Sequence, residues 1–192
     1  MSVAAENSWS VKDAAELYEI EQWAGEYFHI SPDGNLCVAP NRDVENSIDL
    51  KRLVDQLGER GLELPVLLRF NGILADRLKH LNDCFASAIE SHQYQNRYRC
   101  VFPIKVNQQR DVVQQIIHHG REFGFGVEAG SKPELLAVVA MTDPKMPIIC
   151  NGFKDAEFIR MALLAQRLGR TVIPVDRICL STKVNINDLS CV

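Results

Sequence analysis

The six cysteines of this 192-residue chain include no Cys-x-x-Cys pair, the spacing that zinc ribbons and thioredoxin-type sites use. Cys37, Cys84, Cys100, Cys150, Cys179 and Cys191 are scattered. Cys100 and Cys150 fall in apolar strand candidates, where cysteine usually serves as a small core residue. No apolar run approaches the roughly 20 residues of a membrane span. The first ten residues lack the charged and apolar regions of a secretory leader, which favours a cytoplasmic location. There is no cationic excess: 21 Lys and Arg stand against 25 Asp and Glu, for a net charge of -4. Electrostatic attraction to nucleic acid or to an anionic membrane therefore has no support. Internal repeats and low-complexity tracts are also lacking. Of the five histidines, His118 and His119 sit at the end of a helix candidate, where a cation suits the dipole and metal ligation need not be invoked.

What is present is a core-forming composition, 46% hydrophobic and 24% charged, with a regular order of elements. A helix is expected over Lys12–Trp23. Two short strands, Tyr27–Ile30 and Leu36–Val38, flank a Pro32-Asp33-Gly34 turn. A helix from about Asp49 to Gly61 carries Leu50, Leu53, Val54 and Leu57 on one face. Strands then alternate with helices: Leu64–Phe70, helix Leu74–Glu90; Arg99–Asn107, helix Asp111–His119; Phe123–Val127, helix from Ser131; Pro147–Cys150, helix Asp155–Leu168; and Thr171–Val175. In the last helix Phe158, Ile159, Ala162 and Leu163 should face inward. Ser131-Lys132-Pro133-Glu134 has the form of a capping box with proline in the first turn. Buried strands alternating with helices imply a parallel sheet, either an open doubly wound one or part of an α/β barrel.

In both architectures chemistry sits at the carboxyl ends of the strands. Those ends carry Arg69 and Asn71, Lys105 and Asn107, Glu128, Gly130 and Ser131, then Asn151 and Gly152. Any one of them is explained by loops being polar, but their recurrence is suggestive. Gly124, Gly126 and Gly130 give G-x-G-x-x-x-G on the wrong strand for a dinucleotide fingerprint, and close packing of strands explains them better. The most informative run is Val101-Phe102-Pro103-Ile104-Lys105-Val106-Asn107. A lysine in a strand apolar on both faces would be costly to bury, and burial lowers a lysine's pKa towards that of a Schiff-base nucleophile. The plain alternative is a strand-end lysine with its head in water. Glu128, on the neighbouring strand, is placed to pair with Lys105.

Phe102-Pro103-Ile104-Lys105-Val106-Asn107-Gln108-Gln109-Arg110 resembles the segment around the pyridoxal-phosphate lysine of biosynthetic arginine decarboxylases, alanine-racemase-like pyridoxal enzymes. Gly126-Val127-Glu128-Ala129-Gly130-Ser131-Lys132-Pro133-Glu134-Leu135 and Ile149-Cys150-Asn151-Gly152-Phe153-Lys154-Asp155 resemble the next two blocks. Trp23–Phe28 and Leu64–Phe70 are similar to that family's N-terminal region. The resemblance runs over roughly Ser8–Val175. It implies a partial parallel (β/α) barrel of about five of eight strands over residues 61–175, behind an N-terminal extension over residues 1–60. It implies that Lys105 forms the Schiff base with pyridoxal phosphate, that Glu128 orients it or acts electrostatically, and that L-arginine is converted to agmatine and carbon dioxide for polyamine synthesis. A homo-oligomer and an association with magnesium are further implications, though no magnesium ligand can be placed.

Residues 176–192 do not match the family. The family's later strands, expected to hold the cofactor phosphate and recognise arginine, have no counterpart here. A chain of this extent is expected to be inactive or poorly stable alone. Two other readings stand beside the enzyme: a non-catalytic partner or regulator of a full-length decarboxylase, and a small pyridoxal-phosphate carrier.

Overall fold

A computed structural model describes residues 9–175. The chain divides into two compact units, Met1–Asp76 and Arg77–Val192.

The first unit opens with α1 (Val11–Leu17) and α2 (Ile20–Trp23). Ser10 and Asp13 cap α1 reciprocally, each side chain accepting the other's backbone N–H. The single helix expected over Lys12–Trp23 is broken, because Glu19 takes a left-handed conformation (φ 50°) between the two pieces. Strands β1 (Phe28–Ile30), β2 (Leu36–Val38) and β3 (Ile48–Asp49) form an antiparallel sheet in that order, with Phe28 opposite Val38 and Cys37 opposite Asp49. The β1–β2 connection closes through Ser31 and Asn35, with Gly34 at φ 83°. Asp49 also caps α3 (Leu50–Glu59), its carboxylate accepting the Arg52 N–H. Val38 and Ala39 are fully buried, with Tyr27, Ile20 and Ala24 close behind. The Tyr27 hydroxyl donates to Asp76, which also pairs with Arg42 at 2.7 Å. The Arg42 guanidinium lies 5.2 Å from the Tyr27 ring centre, a cation–π arrangement.

Helix α4 (Asn71–Ser91) runs across the unit boundary. The second unit is built on a parallel sheet, β4 (Val101–Pro103), β5 (Gly126–Ala129), β6 (Ile148–Cys150) and β7 (Val172–Pro174), in that order. Helices α5 (Arg110–Gly120), α6 (Lys132–Met141) and α7 (Ala156–Arg167) join successive strands. Val127, Ala129, Ile148, Cys150 and Val172 of the sheet pack with Val113 and Ile117 of α5, Leu135 and Val138 of α6, and Phe158, Ala162 and Ala165 of α7. Two of the glycines in this unit serve close packing between sheet and helix or strand and loop. A Cβ on Gly126 would lie 2.8 Å from the Pro147 carbonyl oxygen, and one on Gly120 would meet the Phe125 ring. Of the glycines in the G-x-G-x-x-x-G run, Gly126 is thus a packing device, whereas Gly124, at φ 69°, has open space where a Cβ would stand.

The structure corrects several expectations. Among the described residues four strands pair in parallel, not five: residues 64–70 carry no strand, and Leu64 and Leu67 are exposed. An apolar run becomes a strand only where a neighbour accepts its ladder, and Pro65 brings one donor fewer to any such ladder. The lysine-bearing strand is three residues long, ending at Pro103, and Ile104–Val106 form one 3-10 turn. On α7, Leu163 and Leu164 face outward and Ala165 takes the inner position. The capping residues of α6 are shifted too. Ser131 accepts the Glu134 N–H, but the Glu134 carboxylate reaches back one residue further, to the Gly130 N–H at 2.7 Å. The tail, residues 176–192, lies outside the described residues, and with it Cys179 and Cys191.

Candidate functional site

The carboxyl ends of β4, β5 and β6 deliver three polar side chains side by side. Pro103 is the last residue of β4 and sits opposite Glu128 of β5. The 3-10 turn after Pro103 carries Lys105 over that end of the sheet, closed by the Asn107 N–H donating to the Ile104 carbonyl. Ile104 points into the core, while Lys105 and Val106 stand exposed. The Lys105 Nζ lies 3.7 Å from Glu128 Oε1. The side chain of Lys105 is 62% exposed and that of Glu128 18%. The lysine is therefore not buried, and the expectation that desolvation would activate it does not hold. Its charge is left in water while its stem rests on the sheet end, the alternative that strand-end lysines follow.

Glu128 has a second contact. Its Oε2 accepts a long hydrogen bond, 3.5 Å, from Asn151 Nδ2 at the end of β6. Asn151 Oδ1 accepts the Gly152 N–H at 2.9 Å, and the Asn151 N–H donates to the Ala129 carbonyl at 3.1 Å. Gly152 has φ 94°, and a Cβ there would lie 2.6 Å from the Gly130 carbonyl oxygen. The loops after β5 and β6 are therefore in contact at two glycines. Glu134 joins the loop after β4 to this arrangement: one oxygen holds the Gly130 N–H, and the other accepts from Gln108 Nε2 at 3.4 Å.

A second brace lies alongside. Lys132, the first residue of α6, donates to Asp155, which caps α7, at 2.8 Å and to Glu157 at 2.7 Å. These bonds raise the Lys132 pKa above its ordinary value, and Lys132 together with the Phe158 N–H lowers that of Asp155. Burial pushes the Cys150 thiol up to about 11, which makes it a core residue and not a nucleophile.

Of the strand-end residues singled out in the sequence, Lys105, Glu128, Gly130, Asn151 and Gly152 come together. Arg69 and Asn71 belong to the first unit. The sequence reading missed the linking roles of Gln108, Glu134 and Lys132. The usable signal was that Lys132 and Asp155 open helices following neighbouring strands. Among the described residues no three His, Cys, Asp or Glu side chains gather as a metal site, and no helix is long and apolar enough to cross a membrane.

A parallel sheet with crossover helices that gathers an amine and a carboxylate at its carboxyl edge defines the class: an α/β protein of partial-barrel type. Residues 78–178 match the family described as pyridoxal-dependent decarboxylase, pyridoxal binding domain, and the chain belongs to that family. It is 63% identical over 175 residues to the biosynthetic arginine decarboxylase of Rhodopirellula baltica, covering 91% of this chain and 26% of that protein. The corresponding protein of Gloeobacter violaceus is 50% identical, with 85% of this chain and 26% of that protein covered. The crystal structure of the biosynthetic arginine decarboxylase from Campylobacter jejuni superposes with a TM-score of 0.76 at 31% identity, over 82% of this chain and 26% of that one. The chain thus spans about a quarter of the length of the curated relatives it matches.

Proposed function

We propose that this chain carries the cofactor-bearing lysine of an L-arginine decarboxylase that forms agmatine, and that the lysine is Lys105. The observation that carries the reading is the pairing of Lys105 with Glu128 at the carboxyl ends of adjacent strands, inside the segment that matches the pyridoxal-binding family. The residues fit pyridoxal phosphate. An exposed primary amine at the open end of a sheet is accessible to an aldehyde, and it is attached to a turn whose preceding residue, Ile104, is anchored in the core. Bound there, the cofactor would supply an electron sink for the pair released when the substrate loses its carboxylate.

The roles of the chain's own residues follow from the geometry. Lys105 Nζ, in its unprotonated form, would be the group that holds the cofactor through its aldehyde. Glu128 Oε1, at ion-pair rather than hydrogen-bond distance, orients the amine without locking it. L-arginine as substrate is supported by the names of the relatives. A homo-oligomeric state and a magnesium association belong to the same proposal and rest on the resemblance alone, and a cytoplasmic location is part of it.

The test is chemical. The chain is incubated with pyridoxal phosphate and reduced with borohydride, and its peptides are mapped by mass. The adduct is expected on Lys105 and absent from Lys105→Ala. Equal trapping on Lys132, at the start of α6, and Lys154, in the loop after β6, would sink the assignment. With this segment in place of its counterpart in a full-length relative, agmatine release from L-arginine tests the substrate, and turnover of L-ornithine in preference would overturn it.

A further inference from the structure

We propose that Asn151 is a positioning residue for this site, acting on Lys105 through Glu128. The inference rests on the reading of Lys105 as the working amine, but its geometry stands apart from any cofactor.

Three successive strand ends form one line of contacts. Asn151 Nδ2 faces Glu128 Oε2 at 3.5 Å, and Glu128 Oε1 faces Lys105 Nζ at 3.7 Å. The two oxygens of one carboxylate are thus divided between two partners. A glutamate has three side-chain torsions, and burial to 18% exposure limits but does not fix the direction of its head. The Asn151 contact on the far oxygen selects the rotation that leaves the near oxygen towards the lysine.

The direction of the asparagine amide is itself determined. The Gly152 N–H can donate only to an oxygen, and it donates to Asn151 Oδ1 at 2.9 Å. The NH2 end is therefore the one presented to Glu128, which as a carboxylate accepts. The backbone beneath is equally constrained. The Asn151 N–H is bonded to Ala129, the residue after Glu128, and Gly152 lies against Gly130 with no room for a Cβ. Asn151 is therefore held in register with the strand that carries Glu128. Its role in the turn requires only an acceptor for the Gly152 N–H, which serine also provides. The donor aimed at Glu128 is a second property, and serine is too short to supply it.

That difference provides the test. Labelling of Lys105 by an amine reagent is timed at one fixed pH, with the modified site quantified by mass spectrometry in the intact chain. Wild type, Glu128→Gln, Asn151→Ser and the double variant are compared, and melting by circular dichroism checks that each is folded. Glu128→Gln is expected to raise the labelling rate of Lys105 about twofold or more, since the amine loses its ion-pair partner. Asn151→Ser is expected to cover at least about half of that change on a logarithmic scale and to add nothing in the Glu128→Gln background. The labelling rate of Lys145, which is outside the site, should remain fixed. Asn151→Ser with the wild-type rate overturns the proposal, as does Glu128→Gln without effect. Neither result depends on bound cofactor, so failure of borohydride trapping with a positive labelling result would sink the proposed function alone.

Discussion

Replacing Gly152 by alanine should be far more damaging than replacing Gly169, although both glycines are exposed and both take left-handed backbone, at φ 94° and 81°. A Cβ in that conformation costs roughly 1–2 kcal/mol wherever it occurs. Loss of chain entropy in the unfolded state offsets about 0.4–1 kcal/mol of this in both variants. The two sites differ in surroundings. A Cβ at 169 has nothing within 4 Å, whereas one at 152 meets the Gly130 carbonyl oxygen at 2.6 Å, and that atom is backbone, not a yielding side-chain tip. The two loops cannot separate freely, because the Asn151 N–H is bonded to Ala129 and the Gly130 N–H to Glu134. Forcing atoms into a filled space costs typically about 1–3 kcal/mol. Gly152→Ala should therefore exceed Gly169→Ala by about that amount. Urea unfolding followed by far-UV circular dichroism reports it. Tryptophan emission does not, since Trp9 and Trp23 both lie in the first unit. Hydrogen exchange over residues 126–152 should accelerate only in Gly152→Ala. Equal destabilisation of the two variants, within about 0.5 kcal/mol, would refute the claim that the loops after β5 and β6 are in contact at these glycines.

The Lys132–Asp155–Glu157 brace carries a signed pH dependence. The folded pKa of Asp155 is lowered, so its contribution is present above the unfolded value near 3.9 and lost as pH falls through the folded one. That of Lys132 is raised, so its contribution is present below the unfolded value near 10.4 and lost as pH rises through the folded one. Lys132→Met should lower the melting temperature at pH 7 and reduce the loss seen on acidification to pH 3; an unchanged acid limb would count against the brace. Thiol alkylation offers a separate check on the core. Cys84, exposed on α4, should react in the native chain, while Cys150, fully buried with its thiol pushed up to about 11, should react only on unfolding. Rapid native labelling of Cys150 would show that β6 is not covered as described.

The alternation of strand and helix was legible because each buried element leaves a periodic apolar trace. Val113, Ile116 and Ile117 on α5 and Leu135 and Val138 on α6 are buried in the structure. Where the trace misled, the missing information was about neighbours. Residues 64–70 have strand-like composition yet form no strand among the described residues. Leu163 has the spacing of an inner residue of α7 but lies outside, because Ala165 fits closer to the sheet. Glu134 was legible as a cap, but the distance its carboxylate travels depends on the turn before the helix. That turn brings the Gly130 N–H, rather than that of Ser131, within 2.7 Å.

Lys105 shows most clearly how a wrong local picture can still lead to a strand end where an amine meets a carboxylate. Alternation of apolar residues through Val106 suggested a strand and hence a buried amine. Pro103 stops it: proline has no N–H to continue the ladder, and the chain turns at once into a 3-10 loop. Its ring also fixes φ near the value that begins such a turn, -78° here. The same proline therefore removes the lysine from the interior and sets it at the strand end, one ion-pair distance from Glu128. The chemistry proposed for the site does not need the desolvation inferred from the apolar run. It needs an amine that an aldehyde can reach and a carboxylate whose direction is fixed. The sheet offers both by ending β4 at Pro103, opposite Glu128, and by placing after β6 an asparagine whose Oδ1 is taken by the Gly152 N–H.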